Sequence, residues 1–137
     1  MRLIADTNTI VSGLLWQGSP RTILSYARIG LITLFTSPPL LAELDNVLKR
    51  DKFLQRLNAA QVTPQELVTN YAALALVVQA RHIEPVILDD PDDDAVLACA
   101  ITAKADTIIS GDRHLLQLGS YQQINICSAS DFINDFK

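Results

Sequence analysis

Short apolar runs alternate with helix-forming segments along the whole chain. The opening run ends at Asp6, and further runs cover residues 31–36, 83–88, 107–110 and 124–126. Apolar runs of this length, bounded by polar residues, are typical of buried parallel strands. Strands that alternate with helices predict an α/β fold with a mainly parallel sheet.

Turn and capping residues predict where the helices between these strands begin and end. We expect a helix over residues 10–16, interrupted at Gly13, and a second one that starts at Ser19-Pro20 and runs to about residue 28. A capping box at Thr63 predicts a helix over residues 64–80. Further helices are expected over residues 40–50 and 95–101, around Leu115 and Leu116, and over residues 128–136, whereas residues 51–61 are expected to form a loop or a helical elbow.

The composition is that of an ordinary globular protein. Hydrophobic residues make up 49% of the 137 residues and charged residues 19%, which predicts a single domain over residues 1–137. No apolar stretch reaches the roughly 18 residues of a membrane span, and the opening residues lack a signal-peptide layout. Cys99 and Cys127 lie in apolar surroundings without metal-type spacing. We therefore expect reduced cysteines and a cytoplasmic location.

The charge of the chain is acidic and unevenly distributed. A net charge of -4 argues against a general electrostatic attraction to nucleic acid. Five of the six residues from 89 to 94 are aspartates, which form either a solvated acidic loop or a cation site. The basic residues are either scattered surface charges or local phosphate contacts; they include Arg21, Arg28, Lys49, Arg50, Lys52, Arg56 and Arg113.

Four carboxylates occupy positions that suggest a site. Asp6 and Asp112 directly follow strands, and function in open α/β sheets collects just beyond the carboxyl ends of the strands. Glu43 shares a helical stripe with apolar residues, where a carboxylate is costly unless it is paired, hydrogen-bonded or bound to a metal. Asp94 lies three and four residues before apolar positions of the next helix. Each acid also has an ordinary alternative: Asp6 and Asp112 as helix caps, Glu43 at the edge of its stripe, and Asp94 as a helix N-terminal acid.

Taken together, the four acids indicate a divalent cation. Carboxylate oxygens suit Mg²⁺ or Mn²⁺ better than zinc, and such sites favour phosphoryl chemistry with one or two ions. The sequence contains no nucleophile-elbow motif and no glycine-rich phosphate loop. His114 lies close to Asp112 and is either a substrate contact or a surface residue.

The ordered set of acidic motifs resembles a PIN domain, and most of all the small prokaryotic PIN proteins classed as toxins of toxin–antitoxin systems. The motifs are Asp6-Thr7-Asn8, Glu43, the run at residues 89–94, and Ser110-Gly111-Asp112. The resemblance implies a single-domain, Rossmann-like, three-layer fold whose five-stranded sheet has the order 3-2-1-4-5, with Asp6 and Asp112 side by side.

The same resemblance implies a metal-dependent endoribonuclease. Asp6, Glu43, Asp94 and Asp112 would bind one or two Mg²⁺ or Mn²⁺ ions, with Asp93 as the alternative to Asp94. Thr7, Asn8 and Ser110 would support these ligands. RNA as substrate, a homodimer and an inhibitory antitoxin partner are implied in the same way.

Two rival functions stay open at this stage. One is a PIN-like scaffold that binds RNA or protein without cutting it. The other is a Mg-dependent phosphatase of the haloacid dehalogenase type, which needs a second Asp two residues after the first, where this chain has Asn8.

Overall fold

Strands and helices alternate along the chain much as the sequence predicts. The computed structural model describes residues 1–81, 83 and 91–136. Its strands are β1 (Arg2–Ala5), β2 (Thr33–Thr36), β3 (Leu76–Val77), β4 (Thr107–Ile109), β5 (Ser120–Tyr121) and β6 (Ile124–Cys127). Its helices are α1 (Thr7–Leu15), α2 (Ser19–Arg28), α3 (Pro38–Leu48), α4 (Asp51–Ala59), α5 (Pro64–Leu74), α6 (Pro91–Ala103), α7 (Arg113–Leu118) and α8 (Ala129–Asp135).

The strands form one mainly parallel sheet with the order β3-β2-β1-β4-β6-β5. The central strand β1 pairs in parallel with β2 on one side and with β4 on the other, where Ala5 lies opposite Ile109. The carboxyl ends of β1 and β4 therefore lie side by side at the same edge of the sheet. The predicted α/β class and the predicted neighbours of β1 are confirmed.

A short antiparallel strand, β5, extends the predicted five-stranded sheet to six. It joins β6 through Gln122 and Gln123, which both have positive φ, at 48° and 70°. Such backbone angles are usual for glycine or asparagine in tight hairpins, so the two glutamines gave no sequence signal for this turn.

The strand that pairs with the open edge of β2 lies earlier in the chain than the predicted third strand. The predicted helix over residues 64–80 ends at Leu74, and Leu76–Val77 forms β3 beside β2. The N–H of Val78 continues this pairing with a bond to the carbonyl of Thr36, at 2.8 Å. The open edge of β2 satisfies these backbone groups and so overrides the helical pattern. Of the predicted strand at residues 83–88, Ile83 lies outside any strand, and the remainder lies outside the described residues.

Two helical expectations also need correction. Residues 51–59 form a regular helix, α4, rather than a loop. Gly13 does not interrupt α1 but lies inside it, where a Cβ would be 2.9 Å from Leu24 Cδ1 and 3.0 Å from the carbonyl oxygen of Pro20. Glycine here lets α1 and α2 pack closely together.

Side chains alternate between the two faces of the sheet and form two cores. Leu3 and Ala5 pack on the face covered by α1, α2, α3 and α8, whereas Ile4 packs on the face covered by α6 and α7. This arrangement is the expected three-layer fold. No helix within the described ranges combines the length and the apolar character that crossing a bilayer requires.

Both cysteines are free thiols, as expected. Cys99 is buried in α6, and burial raises the pKa of its thiol to about 11. Burial likewise raises the pKa of the half-buried Cys127. Both side chains are therefore protonated and unreactive near neutral pH.

Candidate metal centre

Asp6 ends the central strand and caps the helix that follows. Its Oδ1 accepts a hydrogen bond from the backbone N–H of Thr9 at 2.9 Å, which is the expected N-cap of α1. Its Oδ2 accepts a bond from the Ser110 hydroxyl at 2.5 Å. The side chain is only 5% exposed, so both oxygens are held in fixed positions.

Asp112 is positioned in the same way after β4. Its Oδ1 accepts hydrogen bonds from the backbone N–H groups of His114, at 2.8 Å, and Leu115, at 3.2 Å, and so caps α7. Its own N–H donates to the Ser110 hydroxyl oxygen at 2.9 Å. The fully buried Ser110 thus connects the chain segments that leave β1 and β4, as the adjacency of these strands allows.

Two helices bring further acids to this edge of the sheet. Glu43 lies on α3, and its Oε1 accepts a hydrogen bond from the Thr7 hydroxyl at the start of α1. Asp93 lies in the first turn of α6 and is 6% exposed. These two side chains, with Asp6 and Asp112, line a cavity of about 190 Å³, whose other lining residues are Thr7, Asn8, Val47, Arg50 and Val96.

The geometry favours Asp93 over Asp94 as the acid of the helix. Asp94 is half-buried and is not among the residues that line the cavity. The helix α6 begins at Pro91 and not after Asp94, so both Asp93 and Asp94 are helical. The direction of each side chain is therefore set by its position around the helix axis. The buried Val96, Leu97 and Ala100 follow Asp93 by three, four and seven residues, a spacing that the sequence already contained.

His114 completes a tight group with two of the acids. Its Nδ1 lies 3.8 Å from Asp112 Oδ1 and 4.0 Å from Asp93 Oδ2. One ligand atom from each of the three residues lies within 4.8 Å of the others. The sequence had suggested either a substrate contact or a surface residue for this histidine.

Asp112 is ionised at neutral pH. Burial acts to raise its pKa, but three other influences outweigh burial: the hydrogen bond with Asp93, those from the backbone N–H groups of Leu115 and His114, and the electrostatic influence of the His114 side chain. The pKa of Asp112 therefore lies below its usual value of 3.8. A carboxylate that is ionised and oriented in advance is suited to bind a cation.

Three of the seven candidate cations have structural contacts elsewhere. The guanidinium groups of Arg21 and Arg56 donate to backbone carbonyls at the end of α1, and Arg56 also covers the Trp16 ring at 5.0 Å. Lys49 forms an ion pair with Asp45 at 2.7 Å. Arg50 is the one of the seven candidate cations that lines the cavity.

The donors at the cavity fit a divalent cation. Oxygen ligands from four carboxyl groups suit Mg²⁺ or Mn²⁺, and a bound cation would offset the cost of burying acidic side chains. The two most buried of the four, Asp6 and Asp93, are 5% and 6% exposed. The residues present are therefore compatible with the metal that the PIN resemblance implies.

Comparisons with known proteins agree with this architecture. The sequence profile of the PIN domain matches residues 2–114. No curated protein matches the chain. A chain from the crystal structure of VapBC2 from Rickettsia felis bound to a DNA fragment from their promoter shares the fold, with a TM-score of 0.59 and 16% sequence identity over 92% of this chain and 97% of that one. Since the profile covers most of the sequence, including Asp6, Glu43, Asp93 and Asp112, the chain belongs to the PIN-domain family.

Proposed function

We propose that this protein is a metal-dependent endoribonuclease that hydrolyses RNA phosphodiester bonds. The observation that carries the proposal is the meeting of four carboxylates, from four separate parts of a PIN-domain chain, in one cavity at the carboxyl edge of the sheet. Binding sites of open α/β sheets lie at this edge.

Asp6, Glu43, Asp93 and Asp112 would hold one or two Mg²⁺ or Mn²⁺ ions. A divalent cation bound there supplies positive charge that stabilises the developing charge on a phosphate and makes water a better nucleophile. The supporting residues keep the ligands in place: Ser110 orients Asp6, and Thr7 orients Glu43. Asn8 is exposed and lines the cavity, so its amide is available to a bound substrate.

Arg50 would contact a phosphate of the RNA. Its backbone is fixed at the junction of α3 and α4, where its carbonyl accepts bonds from the N–H groups of Phe53 and Leu54. Its side chain is the only arginine or lysine among the described residues lining the cavity. Because the other charged groups there are carboxylates, a cation at this position would counter the repulsion between them and the phosphate backbone.

A matched pair of variants tests this role. Arg50→Gln should weaken binding of single-stranded RNA in Ca²⁺ and lower the slope of log K against log salt by about 0.7. Arg28→Gln, at an exposed arginine of α2, should leave that slope unchanged. Equal effects of the two substitutions would remove Arg50 from the substrate site.

The biological setting that we propose is a cytoplasmic toxin–antitoxin pair, with a homodimeric toxin and an antitoxin protein as its partner. The shared fold with a VapBC2 chain supports this setting. Light scattering on the purified protein tests the dimer. Cell growth after induced expression of the wild-type protein or of the Asp6→Asn variant tests toxicity.

The decisive experiment is cleavage of mixed single-stranded and structured RNA with Mn²⁺, Mg²⁺ or EDTA. Cleavage should require the metal and should be lost in Asp6→Asn. The adjacent acids provide a control of the same chemistry: Asp93→Asn should abolish cleavage, whereas Asp94→Asn should retain most of it. If the folded protein does not cut RNA with any metal but still binds it, the PIN-like binding module becomes the better explanation.

A further inference from the structure

The Nδ1 atom of His114 lies beside Asp93 and Asp112, two of the acids that line the cavity, without forming a hydrogen bond to either of them. This atom is shielded from solvent and has no hydrogen-bond partner among the described residues. The distances of 3.8 Å to Asp112 and 4.0 Å to Asp93 exceed those of a hydrogen bond. An ordinary histidine–aspartate pair would bring these atoms about 1 Å closer.

The same distances are short enough for the three side chains to reach one metal ion. With metal–ligand bonds of about 2.0–2.2 Å, two ligand atoms lie about 3 Å apart at right angles and about 4 Å apart on opposite sides of the ion. The nitrogen of His114 and one oxygen each of Asp93 and Asp112 all lie within 4.8 Å of one another. Small side-chain rotations would therefore let all three atoms contact one cation.

We propose that His114 is a nitrogen ligand, with Asp93 and Asp112, for a cation held between these three side chains. The proposal rests on the proposed metal-dependent function and adds a residue and a selectivity to it. Imidazole binds first-row transition ions well, whereas Mg²⁺ prefers oxygen ligands. The group of His114, Asp93 and Asp112 therefore selects Mn²⁺ over Mg²⁺, whereas Asp6 and Glu43 offer only oxygen atoms.

Mn²⁺ itself is the probe for a test that needs no RNA. In pulsed EPR, Mn²⁺ bound to the wild-type protein should show the ¹⁴N coupling of a directly bound imidazole. That coupling should disappear in His114→Ala and in His114→Gln, the second variant being included in case alanine disturbs α7. Gln117→Ala, an exposed position on the same helix, should keep the coupling.

Affinity provides a second measurement on the same proteins. Loss of the imidazole should weaken Mn²⁺ binding about tenfold or more, because the loss of a supporting partner alone costs roughly 10–100-fold. Mg²⁺ affinity should stay within a factor of about three. A parallel loss for both ions would overturn the selectivity.

The outcomes separate this inference from the proposed function. Mn²⁺ that binds with no ¹⁴N coupling would remove His114 from the ligand set and leave a carboxylate-only site and the nuclease intact. A folded wild-type protein that binds no Mn²⁺ at millimolar concentration would overturn both.

Discussion

Replacing Ser110 with alanine removes the hydroxyl that connects Asp6, which follows β1, to Asp112, which follows β4. The hydroxyl donates to Asp6 Oδ2 at 2.5 Å and accepts from the N–H of Asp112 at 2.9 Å. Because Ser110 is fully buried, water cannot replace it without rearrangement of the site. We expect Ser110→Ala both to destabilise the fold and to loosen the carboxylates.

The size of this effect follows from the two lost contacts. A hydrogen bond to a charged acceptor contributes about 1.5–3 kcal/mol, and an unsatisfied buried donor costs about 1–3 kcal/mol. Asp112 is only half-buried, so water can partly solvate its N–H and the second contribution lies at the low end. Ser110→Ala should therefore lower the free energy of unfolding by about 2–4 kcal/mol. Mn²⁺ affinity should fall by roughly 10–100-fold, as for other groups that orient metal ligands.

Urea unfolding in EDTA measures the first effect, and calorimetric titration with Mn²⁺ measures the second. Ser128→Ala is the matched control, because Ser128 caps α8 by accepting a hydrogen bond from the N–H of Asp131 and does not line the cavity that holds the four acids. Loss of that cap should cost about 1 kcal/mol and leave Mn²⁺ affinity unchanged. The reasoning fails if the two alanine variants are equally stable and bind Mn²⁺ equally well.

Three further perturbations test the packing, the electrostatics and the metal. Gly13→Ala should lower the free energy of unfolding by about 1–3 kcal/mol in urea, because the new Cβ would crowd Leu24 and the backbone of Pro20, 3.0 Å away; an unchanged midpoint would contradict this close approach. The folded-state pKa of Asp112 lies below 3.8, so its ionised form stabilises the fold above that pH. Metal-free wild type should therefore lose stability relative to Asp112→Asn as the pH falls through and below 3.8, and a constant difference would refute the pKa shift. Mn²⁺ at about 100 times its Kd should stabilise the fold by about 2.7 kcal/mol and raise Tm, an effect that Asp6→Asn should reduce; a Tm indifferent to Mn²⁺ would argue against the metal site.

Local rules were sufficient where one segment decides its own structure. Asp6 and Asp112 could be placed at the sheet edge because a carboxylate that follows a parallel strand has few other positions available. The capping box at Thr63 correctly marked the start of α5. The same rules failed at the end of that helix, because β2 supplies hydrogen bonds to Leu76–Val77 that no local pattern contains.

The rotation of a helix about its axis depends on its start and on the surface that it packs against. Nearly every residue of α6 after Asp94 is small or apolar, so the amphipathic signal that would distinguish Asp93 from Asp94 is weak. The roles of the arginines also depend on contacts between distant parts of the chain. Arg56 looked like a phosphate contact, but its guanidinium donates to the carbonyl of Leu15, which lies 41 residues earlier in the chain.

The sequence by itself determined the α/β class, most helix starts and the set of acids that could form a site. These features depend on the spacing of apolar residues and on helix capping, which are properties of residues close together in the chain. Only the tertiary structure decided which of these groups meet. The bond between Ser110 and Asp6 spans 104 residues, and the approach of His114 to Asp93 depends on how α6 and α7 cover one face of the sheet. Contacts of this kind depend on strand order and helix packing, which are set by the whole core rather than by any one segment.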